Sequence, residues 1–259
     1  FPDRAGAQLF GILLADGMDR HEDVLVAALD AALPGVPVVG GSAGDGLDFG
    51  ASVQIAAGRP VPGAAVFVLV ETTLAVSEVS FAHFTPTAQR AVVTRADPAA
   101  REIFELNAEP AAQEYARLAG LDAARMDRTD FARHPLLWRT GRRHHVRAIR
   151  HVGPEDSLVF FGAVAEGMVL TLSAESDLAA HLGGVMRDLR RDRTPRMVLG
   201  FDCIFRRIAA ESMQQTTEVS RILAENRVTG FSTYGEQIGT MHVNQTLTGI
   251  AFYGPDGTP

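Results

Sequence analysis

Residues 9 to 41 specify a parallel strand pair, and few folds accommodate one. LFGILLA (Leu9–Ala15) and VPVVGG (Val36–Gly41) are apolar runs of strand length. Between them Leu25, Ala28, Leu29, Ala32 and Leu33 recur at helical spacing. Asp19 reads as the N-cap of that helix, with Glu22 three residues on, and Pro34-Gly35 stops it. A strand, a crossover helix and a strand over this length form a βαβ unit, so the sheet is parallel here.

The rest of the chain adds antiparallel and helical material. ASVQIAA, GAAVFVLVETT and LAVSEVSFAHF read as successive antiparallel strands, followed by the short strand RAVVTRA. From Asn107 the pattern turns helical in NAEPAAQEYARLAG, and Ala123 to Arg143 reads as loop plus short helix. HHVRAIRHV, SLVFFGAV and GMVLTLS are predicted strands, ESDLAAHLGGVMRDLRR an amphipathic helix and RMVLGFDC a buried strand. RIAAESMQQTTEVSRILAEN reads as one helix, and VTGFSTYG and NQTLTGIAFYG close the chain as strands. The expected class is mixed α+β (α/β in the broad sense), with parallel and antiparallel sheets in two closely packed subdomains. The composition shift near residue 105 divides a 1–105 region from a 106–259 region, with no flexible linker between them.

Composition excludes several functions. All 24 basic residues are Arg, so neither a Schiff-base lysine nor the phosphate-binding Lys of a P-loop exists in this sequence. A net charge of −7 argues against non-specific nucleic-acid binding. No apolar run approaches the roughly 18–20 residues that span a bilayer, so no membrane partner is expected. The single cysteine, Cys203, makes no internal disulfide and no Cys-based zinc cluster, which fits a reducing cytoplasm.

The polar chemistry is concentrated in GFSTYGEQIGTMHVNQTLTG, residues 230–249. Tyr234, Glu236, Gln237, His242 and Asn244 stand there between glycines and apolar flanks. His242 and Asn244 share a strand face by parity. A second cluster, GGSAGDG, offers Gly41, Ser42 and Asp45 after a strand, where small residues let backbone N–H groups approach a ligand. GFDCIFRR places Cys203 before a helix, with Arg206 or Arg207 as a cation for an anionic ligand. His144, His145 and His151 lack further donors at ligand spacing, so a solvated basic strand outweighs a metal site there, although parity puts His145 and His151 on one face. Two readings of the residues stay open. Arg206, Tyr234, Glu236, Gln237 and Asn244 suit the carboxylate and amine of an amino acid or similar metabolite. Cys203, His242 and Glu236 together are the set a Cys-dependent hydrolase would need.

GGSAGDG, FELNAEPAAQEYARLAG, GFDCIFRR and GFSTYGEQ…HVNQTLTG, in this order, resemble the FIST family over nearly the whole chain. The resemblance implies a non-catalytic bacterial sensory module with N-type and C-type regions. It implies signalling partners such as a histidine kinase, a cyclic-di-GMP enzyme or a chemotaxis receptor, and leaves a homo-oligomer open. Family members usually carry a further segment of domain scale before LFGILLADGM, so the N-type region is expected to lack its first part. The GFSTYGEQ and HVNQT motifs resemble the nitric-oxide-sensing (NosP) branch, which implies haem b. His242 is then the leading axial ligand and Cys203 the next, since both lie inside matching motifs.

Overall fold

The computed structural model describes residues 6–19, 21–141, 143–174 and 176–254. In chain order, β1 (Gln8–Asp16) leads through α1 (Glu22–Ala32) to β2 (Val38–Ala43), and then to β3 (Gln54–Ala56), β4 (Arg59–Val61), β5 (Val66–Thr72) and β6 (Ala75–Ala82). Next come β7 (Thr85–Asp97), β8 (Glu102–Leu106), β9 (Glu109–Pro110), α2 (Ala111–Ala119), α3 (Arg128–Arg133), β10 (Leu136–Thr140), β11 (Arg143–Arg147), β12 (Ile149–Val152), β13 (Leu158–Phe160) and β14 (Val169–Ala174). The chain ends with α4 (Leu178–Leu189), β15 (Met197–Cys203), α5 (Ile204–Ser212), α6 (Thr216–Glu225), β16 (Val228–Thr233), β17 (Glu236–Ile238), β18 (Met241–Val243) and β19 (Thr246–Tyr253). Two compact units result. The first holds the chain up to Ala82, Leu178–His242 and the chain from Thr246; the second holds His83–Asp177 and Val243–Gln245. Residue 105 lies in β8, within the second unit.

The first unit has four layers. The predicted βαβ forms, with Gly11 to Asp16 of β1 parallel to Val38 to Ala43 of β2. Its sheet runs β18-β17-β2-β1-β5. A second sheet, β16-β15-β19-β6, contains another parallel pair, β15 with β16. Strand alternation sorts the side chains. Leu13 and Val38 face Val26, Leu25 and Leu29 of α1. Phe10 and Val39 face the other way and meet Phe201 and Ile250 of the second sheet. The far side of that sheet is covered by α4 and α6 through Ala179, Leu182, Met186, Ile222 and Leu247. Each large apolar side chain buried in this way contributes roughly 1.5–3 kcal/mol.

The second unit is built on an antiparallel sheet in the order β11-β10-β14-β7-β8-β13-β12, with β9 beside β8. Helices α2 and α3 meet through Tyr115 and Phe131, whose ring centroids are 6.0 Å apart. The Tyr115 hydroxyl donates to the His134 carbonyl at 2.9 Å, and burial pushes its pKa far above the ordinary phenol value. Helix α3 starts on a capping box between Asp127 and Asp130.

The mixed α+β class agrees with expectation, while several local elements differ. Helix α1 has His21, not Asp19, at its N-cap, and no side chain caps it. Asp19 pairs instead with the His21 ring at 3.1 Å. The single helix expected over 207–226 is two helices, because Gln214 takes a left-handed φ of 56° between them. No Gly, Pro or Asn marks that break. HHVRAIRHV divides into β11 and β12, so His145 and His151 do not share a strand. β5 pairs with β1 and β6 with β19, so these two successive strands enter different sheets. β8 and β10 are short strands among charged residues that the hydrophobic pattern did not mark. Glu175, at the head of the predicted helix over 175–191, lies outside the described residues. Among the described residues, no helix is long and apolar enough to cross a membrane.

The parallel β15–β16 pair sets a sharp requirement at Gly230. It has φ +155° and sits so close to Gly200 that a Cβ would lie 1.7 Å from the Gly200 carbonyl oxygen. Gly230→Ala should therefore destabilise the protein by about 3 kcal/mol, read as a lower urea midpoint. An unchanged midpoint would show that the two strands separate freely at this point.

Candidate functional site

β17 lies antiparallel to β2, with Glu236 opposite Gly41 and Gln237 opposite Gly40. Successive strand residues face opposite sides of a sheet. Gln237 and Ser42 therefore join the side covered by α1, while Glu236 turns to the side between the two sheets. Gly41 makes the inner side possible. A Cβ there would lie 2.3 Å from Thr233 Cγ2 and 3.2 Å from a Phe201 ring carbon.

On the α1 side, a file of polar groups crosses the sheet. Ser42 Oγ lies 3.4 Å from Glu22 Oε1, in the first turn of α1. Gln237 Nε2 donates to Ser42 Oγ at 3.0 Å and lies 3.5 Å from His242 Nδ1. All four side chains are buried. Gln237 is 0% exposed, and its Oε1 has no hydrogen-bond partner among the described residues. Glu22, expected to complete a capping box, is turned into this file instead.

On the inner side, Glu236 is 0% exposed. Its carboxyl accepts from Thr233 Oγ1 at 2.5 Å, from Thr246 Oγ1 at 2.7 Å and from the Thr246 backbone N–H at 3.2 Å. Burial pushes its pKa up to about 8, against the hydrogen bonds that favour the charged form, and the nearby Asp202 charge adds to the rise. Glu236 and Gln237, expected to orient one ligand together, belong to separate networks on opposite faces.

Tyr234 and Asp45 are brought together, but they hold each other. The Tyr234 hydroxyl hydrogen-bonds the Asp45 carboxylate and accepts from the backbone N–H of Asp45 at 3.1 Å and of Phe49 at 3.2 Å. Its ring stacks on Phe49 at 4.6 Å. The Tyr234 hydrogen bond and the Ala51 N–H hold the Asp45 carboxyl well below the usual range. Burial, and then the Asp45 bond, push Tyr234 up to about 12. The pair ties the 44–51 loop to the end of β16. GGSAGDG is also less of a loop than expected, since Gly40 to Ala43 complete β2.

Arg206 is buried and bonds Asp202 at 2.5 Å, so it is no free clamp for an anion. Burial raises the Asp202 pKa while Arg206 opposes the rise. Cys203 ends β15 at 1% exposure, and a nucleophilic thiol needs access to its substrate. Asn244 belongs to the second unit, where its Oδ1 packs over Gly162. Gln245 beside it donates to the Phe131 carbonyl at 3.1 Å. Among the described residues, no group of three or more His, Cys, Asp or Glu is placed to hold a metal. For haem the donors present are closed off. An axial ligand must turn an open face to the iron, yet His242 is 4% exposed and Cys203 1%. In this packing they do not fit the macrocycle.

Asp16 was missed by sequence reasoning. It closes β1 and ties down two later turns, bonding Ser52 and the backbone N–H groups of Met18 and Gly63. Burial alone would raise its pKa, but these bonds outweigh it and hold the carboxyl low. The only signal was an Asp-Gly pair at the end of an apolar strand.

The chain belongs to the FIST-domain family: the FIST N domain matches residues 3–109 and the FIST C domain residues 111–239. FIST domains are sensory domains of signal-transduction proteins. Comparison with curated proteins gives no match, and neither does comparison with solved structures.

Two measurements check this geometry. Tyr234→Phe should cost about 1–3 kcal/mol by stranding the loop amides it serves. Hydrogen exchange should then speed up at Asp45 and Phe49, and unchanged exchange would reject the loop lock. Glu236 has a folded-state pKa of about 8 against an ordinary 4.5. Its stabilising contribution is therefore complete below the ordinary value and is lost as pH rises through about 8. Glu236→Gln should remove a fall in stability of up to ~1.4 kcal/mol per pH unit across that window. Identical pH–stability profiles for the two proteins would refute a neutral Glu236.

Proposed function

We propose that the chain is a sensory domain that takes a small amine-bearing polar metabolite, of the amino-acid kind, at the polar file of its first unit. Its output passes to a signalling enzyme or receptor of the kinds that associate with this family. The observation that carries the reading is Gln237 Oε1, an acceptor at 0% exposure without a donor among the described residues. An unmet buried acceptor costs about 1–3 kcal/mol, which a ligand N–H would recover. Haem-borne nitric-oxide sensing, with His242 or Cys203 turned toward the iron, is the second reading.

Thermal-shift titration with amino acids and simple amines tests the reading. At least one should raise the melting temperature in proportion to its occupancy. Gln237→Leu keeps the side-chain volume and removes the acceptor. It should weaken that ligand about tenfold, and loss of the bond to Ser42 should cost the ligand-free protein about 1 kcal/mol. If no amine shifts the wild type, or if Gln237→Leu binds as tightly, the reading fails. A Soret band that appears with haemin and is lost in His242→Ala would favour the haem alternative.

A further inference from the structure

The second unit carries a groove of about 760 Å³ on one face of its sheet, distant in sequence from the motifs discussed above. Strand register shows how it is made. Thr171 of β14 lies between Leu137 of β10 and Arg90 of β7. Side chains directly opposite in an antiparallel pair share a face. Two residues along, Val169 lies opposite Val92, and Arg139 lies opposite His144 of β11. Val169 and Thr171 thus form the floor, with Arg90 on one flank and Arg139 and His144 on the other.

The charges in this groove are unbalanced. Neither Arg90 nor Arg139 has a carboxylate partner among the described residues; Arg139 Nε is occupied by the Gly141 carbonyl at 2.9 Å. The one acid in the lining, Glu166, accepts from the Ala96 backbone N–H at 3.2 Å. In a chain of net charge −7, two guanidinium groups facing one groove without a counter-ion call for an anion from outside. A guanidinium presents a fork that matches a carboxylate or phosphate. Val169, 46% exposed on the floor, gives an apolar body a surface to cover. The volume lies in the range of small-molecule sites.

We propose that this groove binds a small organic dianion whose two anionic groups sit at opposite ends of a short chain. The flanking strands are two strands apart, so their Cα lines are separated by about 10 Å. Arg90 and Arg139 stand on the same sheet face on either side of β14, two residues out of register. One guanidinium takes each end, and Thr171 and Val169 lie beneath the spacer. The site is independent of the amine site proposed for the first unit.

Isothermal titration calorimetry reads occupancy of the groove. Succinate, glutarate, adipate and inorganic phosphate are titrated at low salt into wild type, Arg90→Ala, Arg139→Ala and Gln237→Leu. Dicarboxylates should bind with a preference for one length and weaken as salt rises. Each Arg→Ala change should weaken the best of them about tenfold or more, and Gln237→Leu should leave it unchanged. Both arginines are exposed, so their removal leaves the fold intact, and circular dichroism checks this. The proposal is overturned if no dicarboxylate binds, if either arginine variant binds as tightly as wild type, or if inorganic phosphate binds as tightly as the best dicarboxylate. Loss of dicarboxylate binding in Gln237→Leu would move the ligand to the first unit and overturn it as well.

Discussion

The antiparallel pairing of β17 with β2 organises the polar interior of the first unit. It is three residue pairs long, Glu236 to Ile238 against Gly41 to Val39. Because β2 presents glycines at 40 and 41, the neighbouring strands and side chains come closer than any Cβ would permit. The pleat then assigns Glu236 to one face and Gln237 to the other. Two networks follow from one tripeptide: Thr233 and Thr246 gather round Glu236, and Ser42, Glu22 and His242 align with Gln237. A shift of one residue in register would exchange the faces and bury each group among the wrong partners.

The two faces resolve their burial differently. A carboxyl at 0% exposure is unfavourable when charged, and Glu236 avoids much of that cost by holding its proton up to about pH 8. Asp202, close enough to raise Glu236 further, is compensated by Arg206. Arg206 therefore acts chiefly inside the protein. The same holds for Asp45 and Tyr234, whose mutual bond fixes a glycine-rich loop. Three residues that look like ligand contacts in the sequence, Arg206, Asp45 and Tyr234, bond other side chains of the protein in the fold.

The sequence showed whatever depends on local period. LFGILLA, the α1 pattern and VPVVGG gave a parallel βαβ unit, because a 3.6-residue stripe between two apolar runs has few other solutions. Pairings between distant segments were not legible. β6 lies beside β19, and Tyr234 meets Asp45 across 189 residues. Nor does periodicity register a single left-handed residue such as Gln214, which breaks one apparent helix into two. GGSAGDG and TYGEQ, far apart in the sequence, meet in the fold. The motifs could not show which side chains would be used up in holding those segments together. The groove of the second unit left still less trace, for Arg90, Arg139 and His144 stand on three strands with no shared motif.

What distinguishes Gln237 from its neighbours is the difference between a satisfied and an unsatisfied buried group. Glu236 has hydrogen-bond partners at both carboxyl oxygens and is complete as it stands. Gln237 uses its amide N–H groups toward Ser42 and His242 and keeps its carbonyl in reserve. A ligand that satisfied that carbonyl would engage β17, the strand that also carries Glu236. The backbone between the two residues is a single peptide unit, and its planarity leaves only the adjoining φ and ψ free to adjust.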